Sequence, residues 1–296
     1  MTLPIAQPQA GAHAQLDLAP VAGFIGAEVR GLDLSRPISD AVAGGLRAAL
    51  GAHLVLFFRE QDLGLADQKR VTEVFGPLTR VPYIEPCAED PDVVAVLKEA
   101  EETGISVFGG DWHSDFSFLE RPPGGSVLYG AEVPPFGGDT LWSSQVAAYE
   151  TLPTDLKTMV EDRRAVHSGK PYGVSHAPDE TLAVTRSIRM TRGDPEADRE
   201  RLHPAVRRHP ENGRRALFVN PIYTTRLEGL SEAESAPILA RLYAHATRPE
   251  FTCRFRWAPG SLAVWDNRMT LHYAINDYDG HRRLMYRTTF EGERPV

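Results

Sequence analysis

A histidine and an aspartate separated by one residue, His113 and Asp115, are the first candidates for chemistry in this sequence. In an extended segment the two side chains project from the same side, because successive side chains alternate between the faces of a strand. One imidazole and one carboxylate on the same side can occupy adjacent positions on a metal ion. A distant histidine would complete a set that leaves positions on Fe(II) open for a cosubstrate and O2. The pair therefore indicates a candidate metal site.

The same pattern occurs a second time, in His209-Pro210-Glu211. With 10 histidines and 40 acidic residues in 296 positions, chance supplies about 1.4 such triplets, so the pattern alone has low specificity. The second triplet stands beside Asn212-Gly213, a pair that is typical of a tight hairpin turn. We therefore predict that the second triplet consists of solvated turn residues.

Two arginines, Arg283 and Arg287, add a candidate anion site near the C-terminus. The residues between them have a strand-like composition, so both arginines share one face and lie roughly 13 Å apart. Arginines in a β-rich core are costly to bury unpaired. Two interpretations stay open. The arginines pair with Asp266, Asp277 or Asp279, or their guanidinium groups bind a carboxylate or sulfonate ligand in a bidentate manner.

Composition narrows the class of protein and partner. Lys and Arg total 32 against 40 Asp and Glu, a net charge of −8, which disfavours nucleic acid or an anionic membrane as the main partner. The sequence contains no run of 18 apolar residues, so no transmembrane helix is predicted, and its first residues lack the pattern of a secretion signal. With only Cys87 and Cys253, no disulfide framework is expected, and the expected location is cytoplasmic. The motifs GxGxxG, GxxxxGK[ST], HExxH and GxSxG do not occur.

The predicted elements form the scaffold for these residues. An apolar run at 54–58 and segments of strand-like composition at 261–265 and 283–290 predict strands, and Gly- and Pro-rich turns separate the strands of the chain. Helices are predicted after the N-cap residue Ser39 and after a capping box at Ser231. This pattern predicts an α+β protein with a mainly β core, a double-stranded β-helix (jelly roll) with flanking helices.

The chain is predicted to form a single domain. Residues 1–15 have the composition of a flexible N-terminal tail, and 16–296 are assigned to the domain. Within it, residues 168–201 are polar and show no steady apolar period. A stretch of that length without regular structure is often a lid over an active site. We therefore predict an active-site lid at 168–201.

Several separate motifs occur together along the chain. They are, in order, His113-x-Asp115, the turn at 137–142 (GGDTLW), Phe218-Val219-Asn220 followed by Thr224-Thr225-Arg226, and the stretch 265–287. With these motifs the sequence resembles the taurine dioxygenase family of Fe(II)/2-oxoglutarate-dependent oxygenases, which includes alkylsulfatases and aryloxyalkanoate dioxygenases. The resemblance covers nearly the whole chain, from residues 23–37 to residues 288–295.

The resemblance implies a metal centre and a reaction. His113, Asp115 and His272 match the catalytic residues that bind Fe(II), and 2-oxoglutarate and O2 are the implied cosubstrates. The implied reaction is hydroxylation of a small organic anion with release of succinate and CO2. Asp115 argues against the halogenase variant, which needs that position vacant.

The resemblance also implies binding residues around the metal. Arg283 and Thr140 match the residues that hold the distal carboxylate of 2-oxoglutarate. Arg287 matches the arginine that holds the anionic group of the primary substrate, and Tyr223 matches an aromatic wall of the substrate pocket.

Three positions depart from the pattern of taurine-specific members. Where those members place a His, a Tyr and an Asn against the substrate, this chain has Val81, Ile84 and Gly109. A pocket lined by these residues lacks donors and acceptors for an aminoethyl group, which disfavours taurine. Arg287 still favours an anion. We expect a less polar sulfonate, sulfate ester or carboxylate.

Two other functions stay open. The first is a metal-assisted hydrolase or isomerase on the same barrel, which would turn over without O2 or 2-oxoglutarate. The second is a non-catalytic protein that binds an organic acid through Arg283 and Arg287. In every case the expected partner is a small anionic organic molecule, with no nucleic acid and no membrane. Homologous enzymes are often homo-oligomers, so a homo-oligomer is possible here as well.

Overall fold

The computed structural model describes residues 15–175 and 186–296. Positions 1–14 of the predicted tail and 176–185 of the predicted lid lie outside the described residues. The α-helices are α1 (Asp40–His53), α2 (Leu65–Glu73), α3 (Gln145–Glu150), α4 (Thr154–Val160) and α5 (Glu232–Ala246). The strands are β1 (Asp17–Pro20), β2 (Ala27–Arg30), β3 (Val55–Phe58), β4 (Val94–Lys98), β5 (Gly125–Glu132), β6 (Thr140–Ser144), β7 (Arg164–His167), β8 (Arg201–Pro204), β9 (Val206–Arg208), β10 (Arg215–Leu217), β11 (Thr224–Leu227), β12 (Thr252–Phe255), β13 (Leu262–Asp266), β14 (Thr270–Ala274) and β15 (Arg283–Phe290).

The strands form one large sheet and three small ones. The large sheet has seven strands in the order β1-β2-β3-β13-β5-β15-β4, and only its β2–β3 pair is parallel. The smaller sheets are β12-β6-β14, β11-β7-β8 and the hairpin β9-β10. The prediction of a strand-rich α+β fold is therefore confirmed. The finer description as a jelly roll stays a prediction.

An aromatic core joins the large sheet to the sheet β12-β6-β14. Phe57 of β3 stacks on Phe255 of β12, with 4.2 Å between the ring centroids. Trp142 of β6 lies 5.4 Å from Phe57 and 5.8 Å from Trp265 of β13. All four rings are buried. These contacts fix the position of β14, which pairs with β6 and carries His272 opposite Trp142.

The predicted helix boundaries follow local capping chemistry. Ser39 accepts a hydrogen bond from the backbone N–H of Val42 and starts α1, as predicted. Ser231 and Glu234 form the predicted capping box of α5. Helices α3 and α4 are separated at Pro153, because proline removes a backbone donor.

The predicted hairpin forms, but its histidine is not solvated. Strands β9 and β10 pair antiparallel, and Gly213 in the turn has a φ of +70°. His209 is buried, and its Nε2 lies 2.9 Å from a carboxylate oxygen of Asp266. The prediction of solvated turn residues is therefore wrong for His209 and right for the exposed Glu211. A buried aspartate from a distant strand decides the difference.

The described part of 168–201 contacts the loop that follows β4. Ser187 donates to the Glu102 carboxylate through its hydroxyl (2.9 Å), and Arg186 donates to the Ser106 hydroxyl (2.8 Å). Met190 forms an isolated bridge with Ile84. Within the described residues, no helix is long and apolar enough to cross a membrane.

Candidate functional site

Three side chains from distant parts of the chain meet at one point. One ligating atom each from His113, Asp115 and His272 lies within 4.8 Å of the others. Oδ1 of Asp115 is 3.6 Å from Nε2 of both histidines. This distance is longer than a hydrogen bond. All three residues are buried. Their ligating atoms therefore face one another inside the protein without a hydrogen bond between the carboxylate oxygen and either imidazole.

The backbone brings the two histidines together. His113 and His272 form an isolated antiparallel bridge, with N–H···O distances of 3.1 and 2.8 Å in the two directions. Their rings lie 4.1 Å apart between centroids. Nδ1 of His113 is 2.7 Å from the carbonyl oxygen of Asp111. Because a carbonyl only accepts, Nδ1 carries the proton and Nε2 presents its lone pair beside Asp115.

The two oxygens of Asp115 have different surroundings. Oδ2 accepts a 2.8 Å contact from Nη2 of Arg287, which also donates to the Ser126 hydroxyl at 3.1 Å. Oδ1 is the atom beside the two imidazoles. Burial alone raises the pKa of Asp115, but the Arg287 charge and the two neighbouring histidines together outweigh it, and the pKa is held well below its ordinary range. The group is therefore an ionised carboxylate with one oxygen available.

His272 completes a donor set that fits a divalent transition metal. Burial and the neighbouring His113 lower the pKa of His272 well below its ordinary value, so its imidazole is neutral. Two imidazoles and one carboxylate are ligands typical of Fe(II) and related ions. Positive charge at this point would also balance the Asp115 carboxylate in a buried site. The residues present therefore fit a bound metal ion.

The two strand arginines have different partners. Both are buried, and β15 spans both of them. Arg287 pairs with Asp115, not with any of the three aspartates considered above. Arg283 donates to the carbonyl oxygen of Gly138 at 3.2 Å. Among the described residues it has no carboxylate within ion-pair distance, and its Nε lacks a partner. Arg283 thus remains a buried cation with unused donors.

Thr140 lies close to Arg283 in the fold. It starts β6 two residues after Gly138, whose carbonyl accepts from Arg283. The Thr140 hydroxyl oxygen accepts a 3.0 Å hydrogen bond from Nε1 of Trp257. Its own proton is therefore free to be donated to an anion.

The predicted pocket residues line two cavities. The larger, of about 290 Å³, is lined by Gly109 and Tyr223 together with His113 and Asp115. The smaller, of about 200 Å³, is lined by Val81, Ile84 and Arg287. The ion pair between Asp115 and Arg287 joins the two walls. The structure thus brings all the predicted residues to one region, but divides the pocket residues between two spaces.

The fold and this site match known proteins over almost the whole chain. The family model described as taurine catabolism dioxygenase TauD, TfdA family, matches residues 16–289. The chain belongs to this family. The prediction of family membership is confirmed, and the protein is a 2-oxoglutarate-dependent dioxygenase that uses 2-oxoglutarate and O2.

Curated relatives of this dioxygenase share about a third of its residues. An α-ketoglutarate-dependent sulfate ester dioxygenase from Pseudomonas putida is 38% identical over 95% of this chain and 91% of its own. An alkylsulfatase from Acinetobacter baylyi is 36% identical over 94% and 86%. An α-ketoglutarate-dependent 2,4-dichlorophenoxyacetate dioxygenase from Cupriavidus pinatubonensis is 32% identical over 92% and 96%.

Solved structures agree with this relationship. A taurine dioxygenase from Burkholderia xenovorans has a TM-score of 0.77 and 34% identity, covering 95% of this chain and 92% of its own. A structure of AAD-2 in complex with Mn(II) and N-oxalylglycine has a TM-score of 0.76 and 27% identity, covering 95% and 99%.

The larger cavity of the dioxygenase includes residues that sequence analysis did not single out. Arg186 and Arg192 line it, as do the aromatic side chains of Phe116 and Tyr172. The two arginines fall in the polar stretch assigned to the lid, and their place in that predicted lid was the available signal. The aromatic residues carry no such signal, because their position depends on packing among Tyr83, Phe118 and Tyr223.

Proposed function

We propose that this dioxygenase uses Fe(II) to hydroxylate a small organic anion, with release of succinate and CO2. The observation that carries the proposal is the position of the Asp115 carboxylate. One of its oxygens lies 3.6 Å from two imidazole nitrogens, and the residue also lines the larger cavity. A metal held there would lie beside a cavity of about 290 Å³, in which a small organic ligand could reach it.

His113, Asp115 and His272 would hold the iron. When bound, the iron supplies the O2 chemistry that decarboxylates 2-oxoglutarate to succinate and inserts the second oxygen atom into a C–H bond of the substrate. The balance is one O2, one 2-oxoglutarate and one substrate giving succinate, CO2 and one hydroxylated product. The AAD-2 structure carries Mn(II), so the choice of iron is itself part of the proposal.

Surrounding residues prepare the ligands before any metal binds. Arg287 keeps Asp115 ionised, since its guanidinium contacts the oxygen that is turned away from the histidines. The Asp111 carbonyl selects the tautomer of His113 in which Nε2 is free. Both effects come from residues of the protein itself, and both favour binding of a divalent ion at this position.

Arg283 and Thr140 would hold the distal carboxylate of 2-oxoglutarate. A buried guanidinium whose only described hydrogen-bond acceptor is a carbonyl gains a strong partner when a carboxylate arrives. The Thr140 hydroxyl accepts from Trp257 and keeps its proton for donation. These two groups supply the charge and direction that orient the cosubstrate toward the three ligands.

The substrate would be a sulfate ester, sulfonate or carboxylate with an apolar body. Phe116, Tyr172 and Tyr223 give the larger cavity aromatic walls, and Val81 and Ile84 give the smaller one apolar walls. Arg287 would bind the anionic group, since its buried Nε has no partner among the described residues. Hydroxylation at the carbon next to an ester oxygen gives a product that splits spontaneously, which is the outcome expected for a sulfate ester.

We also propose how the chain is divided into a domain and a lid. We infer a single domain over 16–296 with a jelly-roll core, supported by the family match over 16–289 and by two sheets that pack through aromatic residues. Residues 168–201 would serve as a lid, which is supported by the positions of Arg186 and Arg192 in the larger cavity. A homo-oligomer is compatible with the proposal, and sedimentation would test it.

The direct test measures succinate release and O2 uptake with Fe(II), 2-oxoglutarate and a panel of acids. We choose hexyl sulfate, hexanesulfonate, hexanoate and phenoxyacetate, with taurine as the comparison. Substrate-dependent succinate release with equal O2 uptake, fastest for an apolar anion, supports the proposal. Turnover of a panel member without O2 would indicate the hydrolase or isomerase. Tight binding of an acid with no turnover, retained after replacing Asp115 by Ala, would indicate a binding protein.

A further inference from the structure

A buried asparagine outside the proposed ligand set contacts the ligand segment directly. Asn267 follows β13 and is 1% exposed. Its Oδ1 accepts from the backbone N–H of Asp115 at 2.7 Å. Its Nδ2 donates to the carbonyl oxygens of Asp115 at 3.0 Å and Pro123 at 3.1 Å. One amide side chain therefore binds both backbone polar groups of the aspartate.

The residue before Asp115 is held by the same asparagine. The Ser114 hydroxyl donates to the backbone carbonyl of Asn267 at 2.8 Å, and the backbone N–H of Asn267 donates to the carbonyl of Gly124 at 3.0 Å. Asp115 itself belongs to no strand, and the next residue, Phe116, has a φ of +47°. A backbone in that region is unfavourable for a phenylalanine and persists only when its surroundings fix it.

The turn that carries Asn267 also leads to the second histidine. The Asp266 carboxylate accepts from the backbone N–H of Arg268 at 2.9 Å, and the Thr270 hydroxyl donates to the Asp266 carbonyl at 2.7 Å. Strand β14 starts at Thr270 and carries His272. The same short turn therefore sets the backbone position of Asp115 on one side and the start of the His272 strand on the other.

We propose that Asn267 is a positioning residue for the metal centre, fixing the backbone of Asp115 relative to β14. The inference rests on the proposed metal site at His113, Asp115 and His272. Its physical basis is that ligand affinity depends on how rigidly the donor atoms are held before the ion arrives. Removal of the amide leaves the Asp115 backbone without its partners, and the Asp115 carboxylate no longer has one fixed position.

The test compares Asn267→Ala with Gln61→Ala. Gln61 is a matched control because its amide also accepts one backbone N–H, from Leu34, and donates to two carbonyls, of Leu32 and Arg59. It makes these contacts at the N-terminal side of the large sheet, and it lines neither of the two cavities. Mn(II) binding to each metal-free protein is measured by calorimetry, and the Tm of each is measured without metal.

We expect both variants to have a lower Tm, because each loses three backbone hydrogen bonds. Only Asn267→Ala should bind Mn(II) more weakly, by about tenfold. If Asn267→Ala does not fold, Ser114→Ala replaces it. This change removes the hydroxyl that donates to the backbone carbonyl of Asn267 at 2.8 Å and to its side-chain Oδ1 at 3.1 Å, and it leaves the asparagine amide in place. It should weaken Mn(II) binding by about threefold.

Two results would overturn the inference. The first is a folded Asn267→Ala protein, or in its place Ser114→Ala, with wild-type affinity for Mn(II). The second is an equal loss of affinity in Gln61→Ala, since general loosening of the fold would then explain both. If the wild type itself bound no Mn(II) at a single site, the proposed metal centre would fail as well, and this separates the two failures.

Discussion

Two buried aspartates, Asp115 and Asp266, have similar surroundings but different roles in the protein. Each is almost fully buried, each contacts an arginine, and each lies beside a histidine. Burial raises the pKa of each carboxyl, but the neighbouring arginine and histidine groups together outweigh it and hold the pKa well below its ordinary range. Both are therefore ionised carboxylates within the protein, and neither their type nor their burial distinguishes them.

The two carboxylates differ in whether an oxygen atom remains free of hydrogen bonds. Both oxygens of Asp266 are taken, by Nε and Nη2 of Arg268 at 2.9 and 2.8 Å and by Nε2 of His209 at 2.9 Å. The cavity beside it has about 10 Å³, room for about one water molecule. Asp115 keeps one oxygen free of hydrogen bonds beside a cavity of about 290 Å³. A saturated carboxylate stabilises the fold, whereas an unsaturated one next to a cavity can bind a ligand.

The largest expected effect on the site around Asp115 is that of replacing His272. His272→Ala removes one proposed ligand without leaving a buried charge unpaired, so the metal-free protein should remain folded. We expect turnover to fall by about 1,000-fold or more, because a two-ligand site holds the ion weakly and in the wrong geometry. Succinate release at saturating Fe(II) measures the effect. Activity within tenfold of wild type would show that the site does not use His272.

The next effect concerns the other aspartate. Asp266→Asn keeps the shape of the side chain but removes the buried charged partner of Arg268, whose remaining carboxylates, Glu211 and Glu293, are more exposed and 3.6 Å away. The change should lower the free energy of unfolding by about 3 kcal/mol at pH 7. Affinity of the folded protein for Mn(II) should stay close to wild type. Urea unfolding and calorimetry measure the two quantities. A loss of metal affinity as large as the loss of stability would remove the distinction between the two aspartates.

The pH dependence of the same variant sharpens the test. The folded-state pKa of Asp266 is lowered, so the stability it contributes is complete above the unfolded pKa, about 3.9, and is lost as the pH falls toward the folded value. The gap in unfolding free energy between wild type and Asp266→Asn should therefore narrow below about pH 4. A gap that widens in acid would contradict the assignment of an ionised Asp266.

Two adjacent arginines, Arg282 just before β15 and Arg283 at its first position, differ in the same way. Arg283 is buried with a single carbonyl acceptor, whereas Arg282 is half-buried and bridges the surface carboxylates of Glu99 and Glu132. Arg283→Met should raise the KM for 2-oxoglutarate by about 30-fold, equivalent to about 2 kcal/mol. Arg282→Met should leave it within about twofold, since exposed ion pairs contribute little. Equal effects of the two changes would argue against Arg283 as the cosubstrate anchor.

The smallest effect concerns two glycines with the same backbone conformation. Gly109 has a φ of +78°, and an added Cβ would lie 3.2 Å from Cε1 of His113. Gly104 has a φ of +68°, and an added Cβ would meet nothing within 4 Å. Both Ala variants should lose about 1 kcal/mol of stability from backbone strain. Only Gly109→Ala should weaken Mn(II) binding, by about threefold. A matching loss in Gly104→Ala would show that strain alone is responsible.

The sequence was most informative where structure is local. Ser39 and Ser231 predicted the starts of two helices, because capping depends on residues within one turn. Strand β15 starts and ends at the predicted residues, 283 and 290. His209 was mispredicted, since its neighbours in the chain indicate a turn while its partner Asp266 is 57 residues away. Burial that depends on such a distant contact has no local signal.

The candidate site shows the same division. The spacing of His113 and Asp115 predicts that their side chains project to the same side. Both side chains do lie beside His272, although Asp115 is in a turn and not in a strand. The pairing of Arg287 with Asp115 was not predicted, because it joins residues 172 positions apart through a packed sheet. The contacts of Asn267 were missed for the same reason. Residue types identified the chemistry, whereas the three-dimensional contacts decide which groups are free to perform it.

The most direct test of the central claim is an anaerobic visible titration. Fe(II) and 2-oxoglutarate are added to the wild type and to His272→Ala, followed by hexyl sulfate. We expect a weak charge-transfer band in the wild type, which changes when hexyl sulfate is added, and no such band in the variant. A wild-type protein that binds both Fe(II) and 2-oxoglutarate by calorimetry without any band, or an unchanged band in His272→Ala, would contradict the claim that His113, Asp115 and His272 form one iron site.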